Sequence, residues 1–413
     1  MIVPLLLQVD DALETVLAEA RPLPAEQVRL AAAAGRYLAE PVIATIDLPP
    51  FTNSGMDGYA VRHADTPGRL EVIGESAAGT PFSGSVGPGQ AVTISTGAVL
   101  PDGADAVAPI EWIDALDGAG AIEVPRPVPH DFSIRHAGSD VEHGTEVLAA
   151  GRRIGPAQIG AAASLGLSWL RCGSLPRVAV LTTGSELRKP GERLSPGQIY
   201  DSNGPLLYAA LADAGADVTF IPTAADTRDA HREAITQALD HDVVISTGGV
   251  SVGGHDLVRE IERELGVHEL FWRIALKPGK PLSFGVSDRS PAGERSEHAP
   301  ATLLFGLPGN PVSVLVCFEL FVRPALLALQ GAHEPRPAFG RARLATHVDR
   351  NPERDELIRV RLTTDGRLEP LRGQNSHQLA ITALAAGFAR IPAGSGTLAA
   401  GDEVAYLPLG GAS

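Results

Sequence analysis

Residues 243–256, VVISTGGVSVGGHD, constrain the fold of this chain more than any other stretch. An apolar run, Val243 to Ile245, breaks into a loop carrying Gly248, Gly249, Gly253 and Gly254, and the segment from Asp256 to Leu265 has helical composition. An apolar run without alternation suits a strand buried on both faces, inside a parallel sheet. The loop then sits at that strand's carboxyl end, where open α/β sheets bind ligands. Successive glycines let backbone N–H groups converge on an anion. Asp256 adds a carboxylate, and Mg2+ is held by one or two carboxylates together with a substrate's own phosphate oxygens. A plain turn is the alternative reading; four glycines after a buried strand, followed by an acid, disfavour it.

The stretch belongs to a longer alternation of strand and helix patterns from Pro176 to about Ala332, the signature of a parallel sheet. RVAVLTTGSEL reads as a strand, Asn203 to Ala214 as a helix, DVTFIPTAAD as a strand, and Thr227 to Leu239 as a helix. HELFWRIALKP follows the opening strand, LSFGV and ATLLFGLPG form a hairpin-like pair, and a long apolar helix, NPVSVLVCFELFVRPALLALQ, closes the unit. Three strands thus finish in glycine turns: TTGSE with Thr183, Gly184 and Ser185; STGGVSVGG with Thr247, Gly248, Gly249, Ser251 and Gly253; and GLPGNP with Pro308, Gly309 and Asn310. Their carboxyl ends are expected to converge on one crevice, with a helix N-terminus at Asn310 adding partial positive charge. Glu186, Asp226 and Asp256 follow or end strands on that side, and Lys277 and Lys280 face it from KPGKP. Acids for a divalent cation and amines for a polyanion make a phosphate-site constellation, although each acid taken singly is more commonly a helix cap or an exposed charge. No segment matches G-x-G-x-x-G or G-x-x-x-x-G-K-[ST], which disfavours a dinucleotide fold or a P-loop.

Composition sharpens this. Of 34 basic residues only Lys189, Lys277 and Lys280 are lysines, and two of the three lie in KPGKP. Either that placement is chance or the site needs a compact ammonium rather than a planar guanidinium. A net charge of −15 argues against a nucleic-acid surface, so a phosphate-bearing ligand must be held locally. The two cysteines, Cys172 and Cys317, have neither metal-site nor redox spacing, which fits a reducing cytoplasm. MIVPLLL lacks a basic flank and is too short to span a bilayer, so no membrane role is expected. At 413 residues the chain exceeds one core, and three or four domains are expected.

On either side of the alternation the texture differs. Residues 9–40 read as two helices, VDDALETVLAEA and AEQVRLAAAAGRYLAE, and residues 155–170 as a third with Pro156 in its first turn. Between them, short β-rich runs from Pro41 to about Pro129 predict a small inserted β domain. At its entrance, PPFTNSGMDGYAV presents Asp57 either as a ligand or metal contact or as an Asx-turn bonding its own backbone. Thr96 stands at a second turn, TGA. Within 132–155, Arg135 and Asp140 are candidate anion and cation contacts, while His136 and His143 match no metal-site spacing and read as solvated loop residues. The tail, 335–413, is again β-like, a small barrel or sandwich, and carries Ser376 and His377 in GQNSHQL; adjacent side chains diverge and do not make a triad.

Taken in order, NSGMDGYA, TTGSEL with IYDSN, STGGVSVGGHD, and KPGKP followed by GLPGNP resemble the MoeA family, also called the gephyrin E domain or molybdopterin molybdenumtransferase family. The resemblance covers essentially the whole chain. It implies a multidomain α/β and β fold: a helical linker domain (1–44 plus 138–175) interrupted by a β domain (45–137), a molybdopterin-binding α/β domain with a mainly parallel sheet (176–332), and a C-terminal β-barrel (333–413). It also implies insertion of molybdate into adenylyl-molybdopterin with Mg2+ and release of AMP. Asp57, Asp256, Lys277 and Lys280 would be catalytic, and Glu186, Asp226 and Asp256 would surround the metal. The TTGSE, STGGVSVGG and GLPGN loops with Arg273 would hold substrate, Ser376 would lie near molybdate, and Asp57, Thr96, Arg135 and Asp140 would reach in from the partner of a homodimer. A molybdopterin adenylyltransferase is the implied delivery partner, and the location is cytoplasmic. Two other activities remain open at this point: molybdopterin adenylyl transfer, against which the large flanking domains argue, and a gephyrin-like scaffold, which would tolerate loss of the acids and lysines present here.

Overall fold

Apolar runs without alternation form the centre of the molecule, as residues buried on both faces of a sheet must. A computed structural model describes residues 6–115, 120–182, 184, 186–222, 227–248, 255–288 and 301–409, with the side chains of 115 and 255–257 outside that description. Its central sheet has six strands in the order Asp217–Pro222, Arg177–Thr182, Val243–Thr247, Thr302–Leu307, Ser283–Ser287 and Val267–Trp272. The first four are parallel neighbours; Ser283–Ser287 runs antiparallel to the strands on both sides of it. Successive residues of one strand serve opposite faces. Val178, Val180, Val243, Ile245, Leu303 and Phe305 pack with Leu207 and Leu211 of the helix Asn203–Asp213. Ala179, Leu181, Val244 and Leu304 pack with Ala234, Ile235 and Ala238 of the helix Arg228–Ala238.

The helical stretch Pro311–Leu329, which carries a π segment at Phe318–Val322, is long and apolar enough to cross a bilayer, but 72% of it is buried inside the protein. Its apolarity is that of a core helix packed on the sheet. The N-terminal helix Val9–Glu19 joins the same core through Val9, Ala12, Leu13 and Val16.

The structure corrects the helical reading of residues 25–40 and of the end of 155–170. Ala25–Arg29 is a strand, paired antiparallel with Trp169–Gly173, and only Pro156–Ser164 of the later stretch is helical. Helix propensity in 25–29 yields to this pairing, a tertiary override of a weak local preference, and the alanine run that follows keeps only the short 3-10 turn Leu30–Ala32. Gly35 adopts φ +84, which ends any helix there. Val28, Leu38, Leu170 and Cys172 form a small core of their own, so the expected helical linker mixes short strands with one helix.

The inserted unit is a six-stranded sheet in the order Ala106–Pro109, Gly58–Val61, Gln90–Ile94, Gly68–Ser76, Ala121–Val124 and Asp114–Ala115. The C-terminal part is a β-rich unit in which Asp355–Leu362, Gly387–Ile391, Glu403–Pro408 and Gly340–Arg343 pair in that order. Its other edge is completed by Leu276–Lys277 from the α/β unit, which pairs in parallel with Asp355–Glu356.

Gly173 lies against the end of the core helix, where a Cβ would overlap the carbonyl oxygen of the fully buried Gln330. Gly173→Ala is expected to destabilise the chain by about 1–3 kcal/mol through overpacking. Urea unfolding checks this, and an unchanged midpoint would contradict the packing described.

Candidate functional site

The register of the sheet brings its glycine turns to one level. Thr182 pairs with Thr247, and Thr247 with Leu307, so the three parallel strands end together. Gly248 leaves its strand with φ +81, a conformation that favours glycine. A Cβ on Gly309 would lie 3.9 Å from the Gly248 Cα, which measures how closely the two turns approach. Asn203 at the start of its helix donates from Nδ2 to the Gly309 carbonyl at 2.8 Å and ties the third turn down.

KPGKP crosses in front of this edge. Gly279 adopts φ +123 against the core helix, where a Cβ would lie 2.9 Å from Cys317 Sγ, so Cys317 is a floor for the lysine loop. The Asp355 amide donates to the Ala275 carbonyl at 3.0 Å, and Lys277 Nζ forms an ion pair with Glu356 at 2.7 Å. Asp355 in turn pairs with Arg390, which also reaches Asp10 on the N-terminal helix at 2.8 and 3.0 Å. The loop is therefore clamped between two units.

Together these parts enclose a cleft of about 1070 Å³. Of the residues expected from sequence, Glu186, Gly248, Arg273, Lys277, Lys280, Pro308, Gly309, Asn310 and Ser376 line it. Among the described residues five cationic side chains, Arg259, Arg273, Lys277, Lys280 and Arg354, and one carboxylate, Glu186, line it, in a chain whose net charge is −15; Lys277 and Arg259 are ion-paired, to Glu356 and Glu269. The Arg273 guanidinium lies 3.7 Å from the Trp272 ring centroid and that of Arg259 4.8 Å, while Arg259 Nε donates to Glu269 at 2.7 Å. Arg273 holds φ +72, an uncommon backbone state for a residue with a side chain. Arg354 Nε is buried and has no hydrogen-bond partner among the described residues, an unspent donor at the cleft wall.

Ser376 is positioned from two sides. Its Oγ accepts from Asn310 Nδ2 at 2.8 Å, and its carbonyl accepts from the Val312 amide at 3.1 Å, satisfying an N-terminal N–H of the core helix. Behind it stands Arg359, 1% exposed. Arg359 donates to Gln374 Oε1 at 3.3 Å, to the Asn375 and Gln378 carbonyls at 3.1 and 2.8 Å, and to Thr382 Oγ1 at 3.2 Å. Burial pulls its pKa down from the ordinary arginine value. Its charge is held by neutral dipoles on the segment that carries Ser376.

Asp57, Thr96, Arg135 and Asp140 do not line this cleft. Asp57 Oδ1 accepts from the Thr96 amide at 2.7 Å and from its hydroxyl at 2.9 Å, so Asp57 spans to another turn instead of closing an Asx-turn on its own backbone. Those two bonds, the amide first, hold its carboxyl below the usual aspartate range. Arg135 Nη2 donates to the Gly55 carbonyl in the same loop at 3.3 Å, and Asp140 is exposed. Thr247 is buried at the strand end. Thr183, Ser185, Asp226, Gly249, Ser251 and Gly253, and the side chain of Asp256, lie outside the described residues.

Sequence reasoning missed Trp272, Arg259, Arg354, Gln374 and Asn375. Trp272 precedes Arg273 directly and was legible as an aromatic beside a cation. Arg354 carries no local signal, because the parallel pairing of Leu276–Lys277 with Asp355–Glu356 is what brings it to the cleft.

Three family models match the chain in series: "MoeA N-terminal region (domain I and II)" over residues 7–166, "Probable molybdopterin binding domain" over 179–328, and "MoeA C-terminal region (domain IV)" over 341–409. A Mycobacterium tuberculosis protein named molybdopterin molybdenumtransferase 2 is 36% identical over 396 residues, 92% of this chain and 94% of that one. A molybdopterin molybdenumtransferase of Haemophilus influenzae is 38% identical over 316 residues, 75% of this chain and 74% of that one. The crystal structure of a molybdopterin biosynthesis MoeA protein from Pyrococcus horikoshii superposes with a TM-score of 0.80 at 33% identity, covering 98% of this chain and 100% of that one.

Replacing Arg359 by Met leaves buried carbonyls unsatisfied at about 1–3 kcal/mol each. The expected result is a loss of roughly 3 kcal/mol in stability, with faster amide exchange across 374–382. Exchange unchanged in that segment would contradict the role given to Arg359.

Proposed function

The chain belongs to the MoeA family, and we propose that the cleft between its α/β and C-terminal units is where molybdate meets adenylyl-molybdopterin. The protein is a molybdopterin molybdenumtransferase of molybdenum cofactor biosynthesis. One observation carries the siting: five cations and the level glycine turns face one volume large enough for a nucleotide-sized ligand, in an otherwise acidic chain.

The residues divide the work by chemistry. The turns at Gly184, Gly248 and Gly309, with Thr183, Ser185, Thr247, Gly249, Ser251, Gly253 and Asn310, hold the pterin phosphate and the nucleotide on backbone donors, and Pro308, which has no N–H, shapes the third turn. Lys280, with Arg354 beside it, takes molybdate against the Ser376 hydroxyl, and Arg273 on Trp272 walls off the substrate. Such donors act most strongly where negative charge develops away from bulk water. Lys277 shares its charge with Glu356, so it is part anchor and part ligand.

Mg2+ fits the donor set, because Glu186 offers hard carboxylate oxygens beside the anion turns, and Asp226 and Asp256 would complete its protein ligands. When bound it would neutralise charge on the phosphoanhydride being broken. The exposed Asp57–Thr96 pair with Arg135 and Asp140 is a second polar constellation outside its own chain's cleft, which supports a homodimer whose partner's cleft receives it. The isolated bridge Leu344↔Leu368 supports reading the C-terminal unit as a closed barrel, and the four parts divide at 1–44 plus 138–175, 45–137, 176–332 and 333–413. A molybdopterin adenylyltransferase is the fitting supplier of the adenylylated substrate. Two buried free cysteines accord with the cytoplasm.

Purified protein given adenylyl-molybdopterin and Mg2+ should release AMP only when molybdate is added. Molybdate-independent release, or pyrophosphate formation from ATP and molybdopterin, would overturn the reading. Asp256→Ala should abolish turnover. Lys280→Ala should lower kcat/KM by about 10²-fold without changing the unfolding midpoint, and wild-type kinetics in both variants would remove these residues from the site. Lys277→Ala should also lower turnover, but it strips Glu356 of its partner and so perturbs the junction as well.

A further inference from the structure

The inserted β unit holds a group of side chains that the transferase reaction does not use. One candidate ligand atom from each of His63, Asp105 and His130 lies within 4.8 Å of the other two, and among the described residues no other three His, Cys, Asp or Glu side chains gather so closely. They come from three segments: the turn His63–Asp65, the residue before the strand Ala106–Pro109, and the loop around 130. We infer that these three residues form a binding site for one divalent transition-metal ion of the zinc class.

Main-chain bonds hold the three segments together. The Asp105 amide donates to the Val61 carbonyl at 3.1 Å, and the Asp131 amide to the Asp105 carbonyl at 2.9 Å. Asp105 Oδ1 accepts from the His63 amide at 2.6 Å, and Oδ2 lies 2.7 Å from His63 Nδ1. The His63 and His130 rings stand edge to face with centroids 5.1 Å apart. A tetrahedral ion with bonds near 2.0–2.1 Å sets its ligand atoms about 3.3 Å apart. No pair therefore has to close by more than about 1.5 Å, within reach of χ rotation in exposed imidazoles.

The chemistry selects the ion. Two imidazoles with one carboxylate suit Zn2+, Co2+ or Ni2+, whereas Mg2+ prefers oxygen donors throughout. The ion would take the place of the proton between His63 Nδ1 and Asp105 Oδ2; that proton passes to Nε2 of a neutral ring, or to solvent from an imidazolium, and water is the fourth ligand. Asp131 stands in the outer ring, its Oδ2 3.7 Å from His130 Nδ1 and its Oδ1 3.1 Å from His136 Nε2, and supplies a second negative charge. An ion there would cross-brace three segments of the sheet, stabilising the folded state by linkage.

Co2+ titration of the full chain tests the site, because four-coordinate cobalt absorbs strongly in the visible. Wild-type protein should develop that band at one equivalent, and added Zn2+ should abolish it. His63→Ala and His130→Ala should each weaken binding by about tenfold or more, with circular dichroism unchanged, while the exposed control His347→Ala should bind as wild type. Absence of the band in wild type, wild-type affinity in both ligand variants, or equal loss in the control would overturn the site. None of these outcomes bears on AMP release.

Discussion

The parallel pairing of Leu276–Lys277 with Asp355–Glu356 is the contact on which the cleft depends. The sheet edge alone offers glycine turns and Glu186; the C-terminal unit alone offers Arg354 and the segment 374–376. The two-residue splice, with the bonds from Asn310 and Val312 to Ser376, joins them into a volume with donors on both sides. A short pair of this kind contributes little by itself, so the surrounding contacts must hold it. Arg390 does so by joining Asp355 to Asp10, and Cys317 and Leu276 do so by packing on Gly279.

Charge is distributed to the same end. An acidic chain repels polyanions over most of its surface, and a group of cations lining one cleft counters this locally. Each of three is held by a different partner: Lys277 by Glu356 and Arg259 by Glu269, carboxylates that share their charge, and Arg273 by the face of Trp272, which fixes its direction and leaves the charge free. Arg359 shows the opposite solution, a buried guanidinium satisfied by carbonyls, used to shape a loop instead of to bind an anion.

Much of this was legible in the residues. Buried parallel strands advertise themselves by unbroken apolar runs, and the glycine turns after Thr182, Thr247 and Leu307 marked one sheet edge because each directly follows such a run. Two kinds of information were not local. Ala25–Arg29 has helical composition, yet it forms a strand because Trp169–Gly173, about 140 residues away, supplies the hydrogen bonds. Arg354 and Asn375 reach the cleft through pairing between units, and no periodicity in their own neighbourhood encodes that. The His63–Asp105–His130 group escaped for the same reason: its members are far apart in sequence and match no motif.

In the proposed reaction one oxyanion is held jointly by the α/β and C-terminal units. Crystals of the protein soaked with tungstate, a heavier stand-in for molybdate, test it through the anomalous signal of the metal. The expected peak lies within hydrogen-bond reach of Lys280 on one side and of Ser376 or Arg354 on the other. A tungstate bound outside the cleft, or contacted by one unit alone, would contradict it.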